Sequence, residues 1–154
     1  MDSAVNNQVL EATFNAQLLI GAGMIALCVV IHGMGLFTLQ RLLQRDSVLN
    51  RIDKAQPLSF HGATFTVATV FALILVHFVQ IWCFAFLYDY LHAVSSFEDA
   101  LYFSTISYAT IGFSDAQIAE QWRLLAAQEG IVGVILMGWS TAFFVRILGR
   151  LEGR

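Results

Sequence analysis

The segment ATIGFSD, residues 109–115, has the residue types and the setting of a cation-binding site. It follows a stretch with the signals of a short helix, in which Ser95 or Ser96 provides a hydroxyl cap and two acids follow in the first turn. That helix is predicted at 97–108, and the partial negative charge at its C-terminal end favours a cation ahead of it. Glycine also reaches the backbone dihedral angles that point successive carbonyl oxygens toward one ion. The pattern therefore predicts a cation site at this segment.

The elements around this segment are predicted to be membrane helices. The 154-residue chain is 58% hydrophobic and 12% charged, whereas a soluble domain usually has about 25% charged residues. Three long intervals contain at most one formal charge, and these are 12–40, 55–88 and 124–145. Each can hold the roughly 20 apolar residues that a membrane helix needs. The composition therefore predicts an all-α integral membrane protein with spans near 14–39, 64–88 and 125–148.

A fourth uncharged run, residues 100–114, is too short to cross the bilayer as a helix followed by coil. We therefore predict a re-entrant segment, which is tolerated at membrane depth when protein or water surrounds it.

The basic residues indicate the orientation of the chain. Arg123 is the only one outside the first loop, 41–54, and the C-terminal segment, 146–154, and most acids lie in the N-terminal tail and in 89–129. The positive-inside rule then places the N-terminus outside and the C-terminus in the cytoplasm. The loop itself is either an amphipathic helix that contacts lipid phosphates or a solvated connector.

The sequence ALYFSTISYATIGFSD, residues 100–115, resembles the pore helix and selectivity filter of the tetrameric potassium-channel superfamily, whose signature is T-x-x-T-x-G-Y/F-G-D. The threonine, apolar residue, first glycine, aromatic residue and aspartate of that signature correspond to Thr110, Ile111, Gly112, Phe113 and Asp115. The last span, EQWRLLAAQEGIVGVILMGWSTAFF, is similar to the inner helix of these channels. The closest resemblance is to small bacterial channel proteins with an additional N-terminal span.

This resemblance implies a domain organisation. Residues 1–40 form the N-terminal tail and first membrane helix, 41–62 form a cytoplasmic connector, and 63–150 form the pore domain. Within the pore domain we expect an outer helix at 64–88, a pore helix at 97–108, a filter at 110–115 and an inner helix at 125–148.

The resemblance also implies the functional residues. The expected ion-binding residues are Thr110, Ile111, Gly112, Phe113 and Ser114, with K+ at the first four. The expected filter supports are Ser107, Tyr108, Asp115 and Glu129. Gly133 occupies the hinge-glycine position of the inner helix and Gly138 lies further along it, although close helix packing is an equally good interpretation of both.

The implied protein is a homotetrameric cation channel of the bacterial inner membrane and not an enzyme. Its partners are membrane lipid and other copies of the chain. No cofactor is expected beyond the permeant K+ or another monovalent cation, and neither nucleic acid nor a soluble ligand domain is expected.

Two departures from the signature bear on selectivity. Ser114 replaces the second glycine, where a side chain costs on the order of 1 kcal/mol if φ is positive. Ser107 and Ala109 stand where threonines are common in the family. We therefore expect reduced discrimination between K+ and Na+.

Glu129 is the one acid inside the last span. A carboxylate facing lipid costs about 2.5–3.5 kcal/mol on insertion scales. It either extends to the outer interface or turns toward the pore helix around Ser104, Ser107 or Tyr108.

Two other functions fit parts of the sequence. A non-conducting membrane scaffold with channel architecture is the main alternative, and Ser114 favours it. An intramembrane enzyme is the other, with His32, His77 and Glu129 as its only candidates, although no spacing links them as acid, base or nucleophile.

Overall fold

The structure, a computed structural model, describes residues 2–43, 60–112 and 117–151. The described residues form four α helices and no strand. These helices are α1 (Asp2–Leu43), α2 (Phe60–Tyr90), α3 (Phe97–Tyr108) and α4 (Arg123–Leu151). A short 3-10 turn at Glu120–Trp122 leads into α4.

Three stretches of the described residues are long and apolar enough to cross a membrane. They are Glu11–Leu43, Ala63–Tyr90 and Glu120–Gly149. The prediction of an all-α integral membrane protein is therefore confirmed.

The helices extend beyond the predicted spans at both ends. α1 begins at Asp2 because residues 2–20 contain no glycine or proline that would interrupt it. Residues 41–43 and 60–62, which were assigned to the connector, belong to α1 and α2. The predicted connector between them, residues 44–59, lies outside the described residues.

α3 occupies the same residues as the predicted pore helix. Ser96 caps it, because its Oγ accepts a hydrogen bond from the Asp99 amide at 3.1 Å and its hydroxyl donates to the Asp99 carboxylate at 2.8 Å. Glu98 and Asp99 place negative charge at the positive end of the helix dipole. The cap therefore fixes where α3 begins, twelve residues before Ala109.

Contacts divide the chain into two compact units. Unit 1 comprises Met1–Val29 and Gln80–Ile135, and unit 2 comprises Val30–Val79 and Leu136–Arg154. Unit 1 contains α3 and residues 109–112. Its largest buried side chains are Tyr88, Tyr108, Phe84 and Leu125. The core of unit 2 includes Leu36, Leu73, Leu136 and Ile147.

Candidate ion-binding site

The backbone amides of the residues that follow α3 donate hydrogen bonds to carbonyl groups in the last turn of that helix. The amide of Thr110 donates to the Ser107 carbonyl at 2.9 Å. The amides of Ile111 and Gly112 both donate to the Ile106 carbonyl, at 2.9 and 3.3 Å. Three successive N–H groups are therefore directed at the C-terminal end of α3.

The carbonyl groups of the same peptides point the other way. No peptide among the described residues is cis, and in a trans peptide the N–H and C=O bonds are antiparallel. The carbonyls of Ala109, Thr110 and Ile111 therefore point away from the end of α3. Thr110 and Ile111 thus close α3 with a Schellman cap, and three consecutive carbonyl oxygens lie on the side of the segment away from that helix.

Unusual dihedral angles make this arrangement possible. Thr110 and Gly112 have φ values of 57° and 51°, whereas Ile111 between them has no positive φ. The left-handed conformation costs a residue with a side chain roughly 1–2 kcal/mol. At Thr110 the hydrogen bonds to α3 offset that cost, and at Gly112 the missing side chain avoids it.

The segment is exposed, and one of its three carbonyl oxygens accepts a side-chain hydrogen bond. The Thr110 hydroxyl donates to the Ala109 carbonyl at 2.7 Å. Thr110, Ile111 and Gly112 are all exposed, Ile111 to 55%. Phe113, Ser114 and Asp115 lie outside the described residues, so their predicted roles stay predictions.

Two glycines of α4 pack closely against the C-terminal end of α3, and this contact is called the seat of α3. A methyl group at Gly133 would lie 2.2 Å from the Tyr108 carbonyl oxygen and 3.0 Å from its carbonyl carbon. One at Gly130 would lie 3.3 Å from the Ser107 carbonyl oxygen. At Gly138 no atom lies within 4 Å of an added methyl group. The contact favours the close-packing interpretation of Gly133, and the hinge role of both glycines remains a prediction.

Glu129 turns inward, toward α3 and α2. Its side chain is fully buried. One carboxyl oxygen accepts a hydrogen bond from the Tyr88 hydroxyl at 2.6 Å, and the other lies 2.5 Å from the Ser104 Oγ. Ser104 is one of the three partners considered from the sequence. Glu129 therefore links α4, α2 and α3.

Two partners in this region were missed from the sequence. Tyr88 lies near the C-terminal end of α2 and is fully buried, and its partnership with Glu129 was not predicted. Tyr108 donates a hydrogen bond to the amide oxygen of Gln80, another fully buried residue of α2. The available signal was a glutamine within an apolar span, which needs a hydrogen-bond partner when buried.

The two histidines of the membrane helices meet in unit 2. The Nε2 atoms of His77 and His32 lie 3.0 and 3.3 Å from the Ser140 Oγ, and their ring centroids are 5.1 Å apart. This arrangement is a hydrogen-bonded packing cluster. In the described ranges, no three His, Cys, Asp or Glu side chains are grouped as metal ligands would be.

Comparison with known proteins identifies the relevant family. A family model described as "Ion channel" matches residues 72–150, just over half of the chain. The match includes α3, residues 109–112, Glu129 and Gly133, whereas α1 lies outside it. No curated protein and no solved structure matches the chain.

Proposed function

Because this chain belongs to the ion-channel family, we propose that it forms the pore of a channel for monovalent cations, similar to potassium channels. The observation that carries the proposal is the row of three carbonyl oxygens of Ala109, Thr110 and Ile111. Hydrogen bonds from the backbone amides of this segment to the end of α3 hold these oxygens in place. The negative end of the α3 dipole lies at the same place and favours a cation there. Phe113 and Ser114 continue the ion-binding segment in this proposal, with K+ held at Thr110, Ile111, Gly112 and Phe113.

Four copies of the chain complete the pore. A single segment offers oxygens from one side only, whereas a selectivity filter of this type is a four-fold ring of carbonyls. An open groove of about 790 Å³ lies beside the segment and exposes part of α4. It is lined by Phe103, Ile106, Ser107, Thr110, Gly112, Arg123, Leu124, Ala126, Ala127 and Gly130. The groove supports the proposed assembly because it is open to a neighbouring copy of the chain.

The assembly is placed in a bacterial inner membrane, with lipid and other copies of the chain as its partners. It transports ions and catalyses no reaction, and its only bound species are the permeant cations.

Ion flux into liposomes tests the proposal. Purified protein is expected to pass K+ down its gradient, and Gly112→Ala is expected to lower the flux roughly tenfold, because φ is 51° at this position. Gly23→Ala is the matched control, since no atom lies within 4 Å of its added methyl group. A folded, assembled wild type without flux would favour the non-conducting scaffold.

Selectivity is expected to depend on Ser114. If its side chain loosens the outer part of the filter, the wild type passes Na+ appreciably and Ser114→Gly increases the K+/Na+ permeability ratio by about fivefold, the equivalent of 1 kcal/mol. Reversal potentials under bi-ionic K+ and Na+ gradients measure this ratio. A wild type already at the K+ limit would show that the serine accepts the required conformation.

The orientation is testable by cysteine labelling in a background that lacks Cys28 and Cys83. Glu120 and Arg41 are exposed residues near the two ends of the predicted membrane region. Glu120→Cys is expected to react with an impermeant thiol reagent from outside and Arg41→Cys only from the cytoplasmic side, because basic residues stay inside. The reverse pattern would exclude the proposed topology.

A further inference from the structure

The first membrane helix, which lies outside the family match, contacts the start of the inner helix. The side-chain oxygen of Gln17 in α1 accepts a hydrogen bond from the Leu124 amide at 3.1 Å. Leu124 is in the first turn of α4, where amide groups have no partner within their own helix. Gln17 is buried. It therefore caps α4 from a different helix.

A second contact lies one turn further along both helices. A methyl group at Gly21 would lie 1.5 Å from the Oε1 atom of Gln128. In the described part of the chain, that oxygen is buried without a hydrogen-bond partner. The pairs 17 with 124 and 21 with 128 advance by four residues in each helix, so α1 and α4 run in the same direction here. A side chain at position 21 would displace Gln128.

A third contact connects α1 to the end of α3 through α2. The amide nitrogen of Gln80 lies 3.5 Å from the Cys28 carbonyl oxygen, a long hydrogen bond, and its amide oxygen accepts from the Tyr108 hydroxyl. Gln80 is fully buried. Tyr108 is the last residue of α3, two positions before Thr110. Gln80 thus fixes the residue from which the cation-binding segment leaves its helix.

We propose that Gln17 and Gln80 are positioning residues through which the first membrane helix sets the conformation of the ion-binding segment. Gln17 fixes the start of α4, whose glycines seat the end of α3, and Gln80 holds Tyr108 directly. The inference rests on the proposed channel function for its consequence, which is control of ion selectivity at residues 109–112. The positioning roles of Gln17 and Gln80, which are the structural content of the inference, do not depend on ion conduction.

Hydrogen exchange tests the structural content in the full-length protein in lipid nanodiscs. Gln80→Leu is expected to speed exchange of the Ile111 and Gly112 amides roughly tenfold, because Tyr108 loses a buried partner. Tyr108→Phe removes the same hydrogen bond by deleting its donor, and it is expected to speed exchange of the same two amides. This variant replaces Gln80→Leu in the test if Gln80→Leu does not fold. Gln17→Leu is expected to speed exchange at Leu124 and, to a smaller extent, at Ile111 and Gly112. Gln121→Leu, at an exposed position of the same unit, is the control.

Flux measurements then test the consequence. Gln80→Leu and Tyr108→Phe are expected to lower the K+/Na+ flux ratio several-fold, with Gln121→Leu unchanged. Unchanged exchange at Ile111 and Gly112 in both variants would overturn the inference, as would uniformly faster exchange along all helices, which indicates general destabilisation. A wild type that carries no ions would refute the proposed channel function, and the exchange result would still decide the positioning roles.

Discussion

Replacing Gly133 with alanine is expected to destabilise the folded chain more than alanine at any other glycine of α4. The added methyl group would lie 2.2 Å from the Tyr108 carbonyl oxygen, a backbone atom that no side-chain rotation can move. Forcing extra atoms into a packed site costs about 1–3 kcal/mol, which exceeds the gain of up to about 1 kcal/mol from replacing glycine in a helix. Thermal unfolding in detergent micelles, with recovery of assembled protein, measures the effect.

Gly138→Ala is the matched control in the same helix. Its methyl group meets no atom within 4 Å, so only the helix-propensity gain applies within one chain. We expect its stability to equal or slightly exceed that of the wild type. A hinge role at Gly133 predicts a different result, in which Gly133→Ala unfolds like the wild type and changes only the open probability. That outcome would contradict the seat that the structure shows at Gly133.

Local signals in the sequence predicted the elements that position the site. Long uncharged intervals located the three membrane helices because charged side chains are costly in lipid and are therefore rare in membrane spans. The serine cap and the acids after it located α3 because a helix terminus is a local hydrogen-bonding problem. The two hydrogen bonds from the Ile111 and Gly112 amides to the Ile106 carbonyl were not predicted. The sequence shows where threonine and glycine occur but not their dihedral angles.

Partners distant in sequence were harder to predict. A turn toward α3 was one of two positions considered for Glu129, because a carboxyl group is costly in lipid, and Ser104 was one of three partners considered. Tyr88 was missed because a tyrosine near the end of a membrane helix fits an interfacial position and a buried one equally well. Gln17 and Leu124 are 107 residues apart, and no local pattern pairs a glutamine with a particular helix start.

The hydrogen count at Glu129 determines which substitution preserves the network. Ser104 has one hydroxyl hydrogen but lies 2.9 Å from the Ile81 carbonyl oxygen and 2.5 Å from Glu129. Every contact has a hydrogen when the Glu129 carboxyl group carries a proton and donates it to Ser104. Ser104 then donates to the Ile81 carbonyl. Tyr88 donates to the second carboxyl oxygen of Glu129. A glutamine side chain has the same donor and acceptor arrangement, because its NH₂ group replaces the carboxyl O–H.

Glu129→Leu is therefore expected to reduce the free energy of unfolding by about 1–3 kcal/mol, because the Tyr88 hydroxyl remains buried without this partner. Glu129→Gln is expected to stay within about 0.5 kcal/mol of the wild type, a change typical of benign substitutions. Tyr88→Phe in the Glu129→Leu background removes the orphaned hydroxyl and is expected to recover part of the loss. A double-mutant cycle from unfolding in detergent measures this coupling. Strictly additive effects of the two substitutions would show that the Tyr88 hydrogen bond does not hold Glu129 in place.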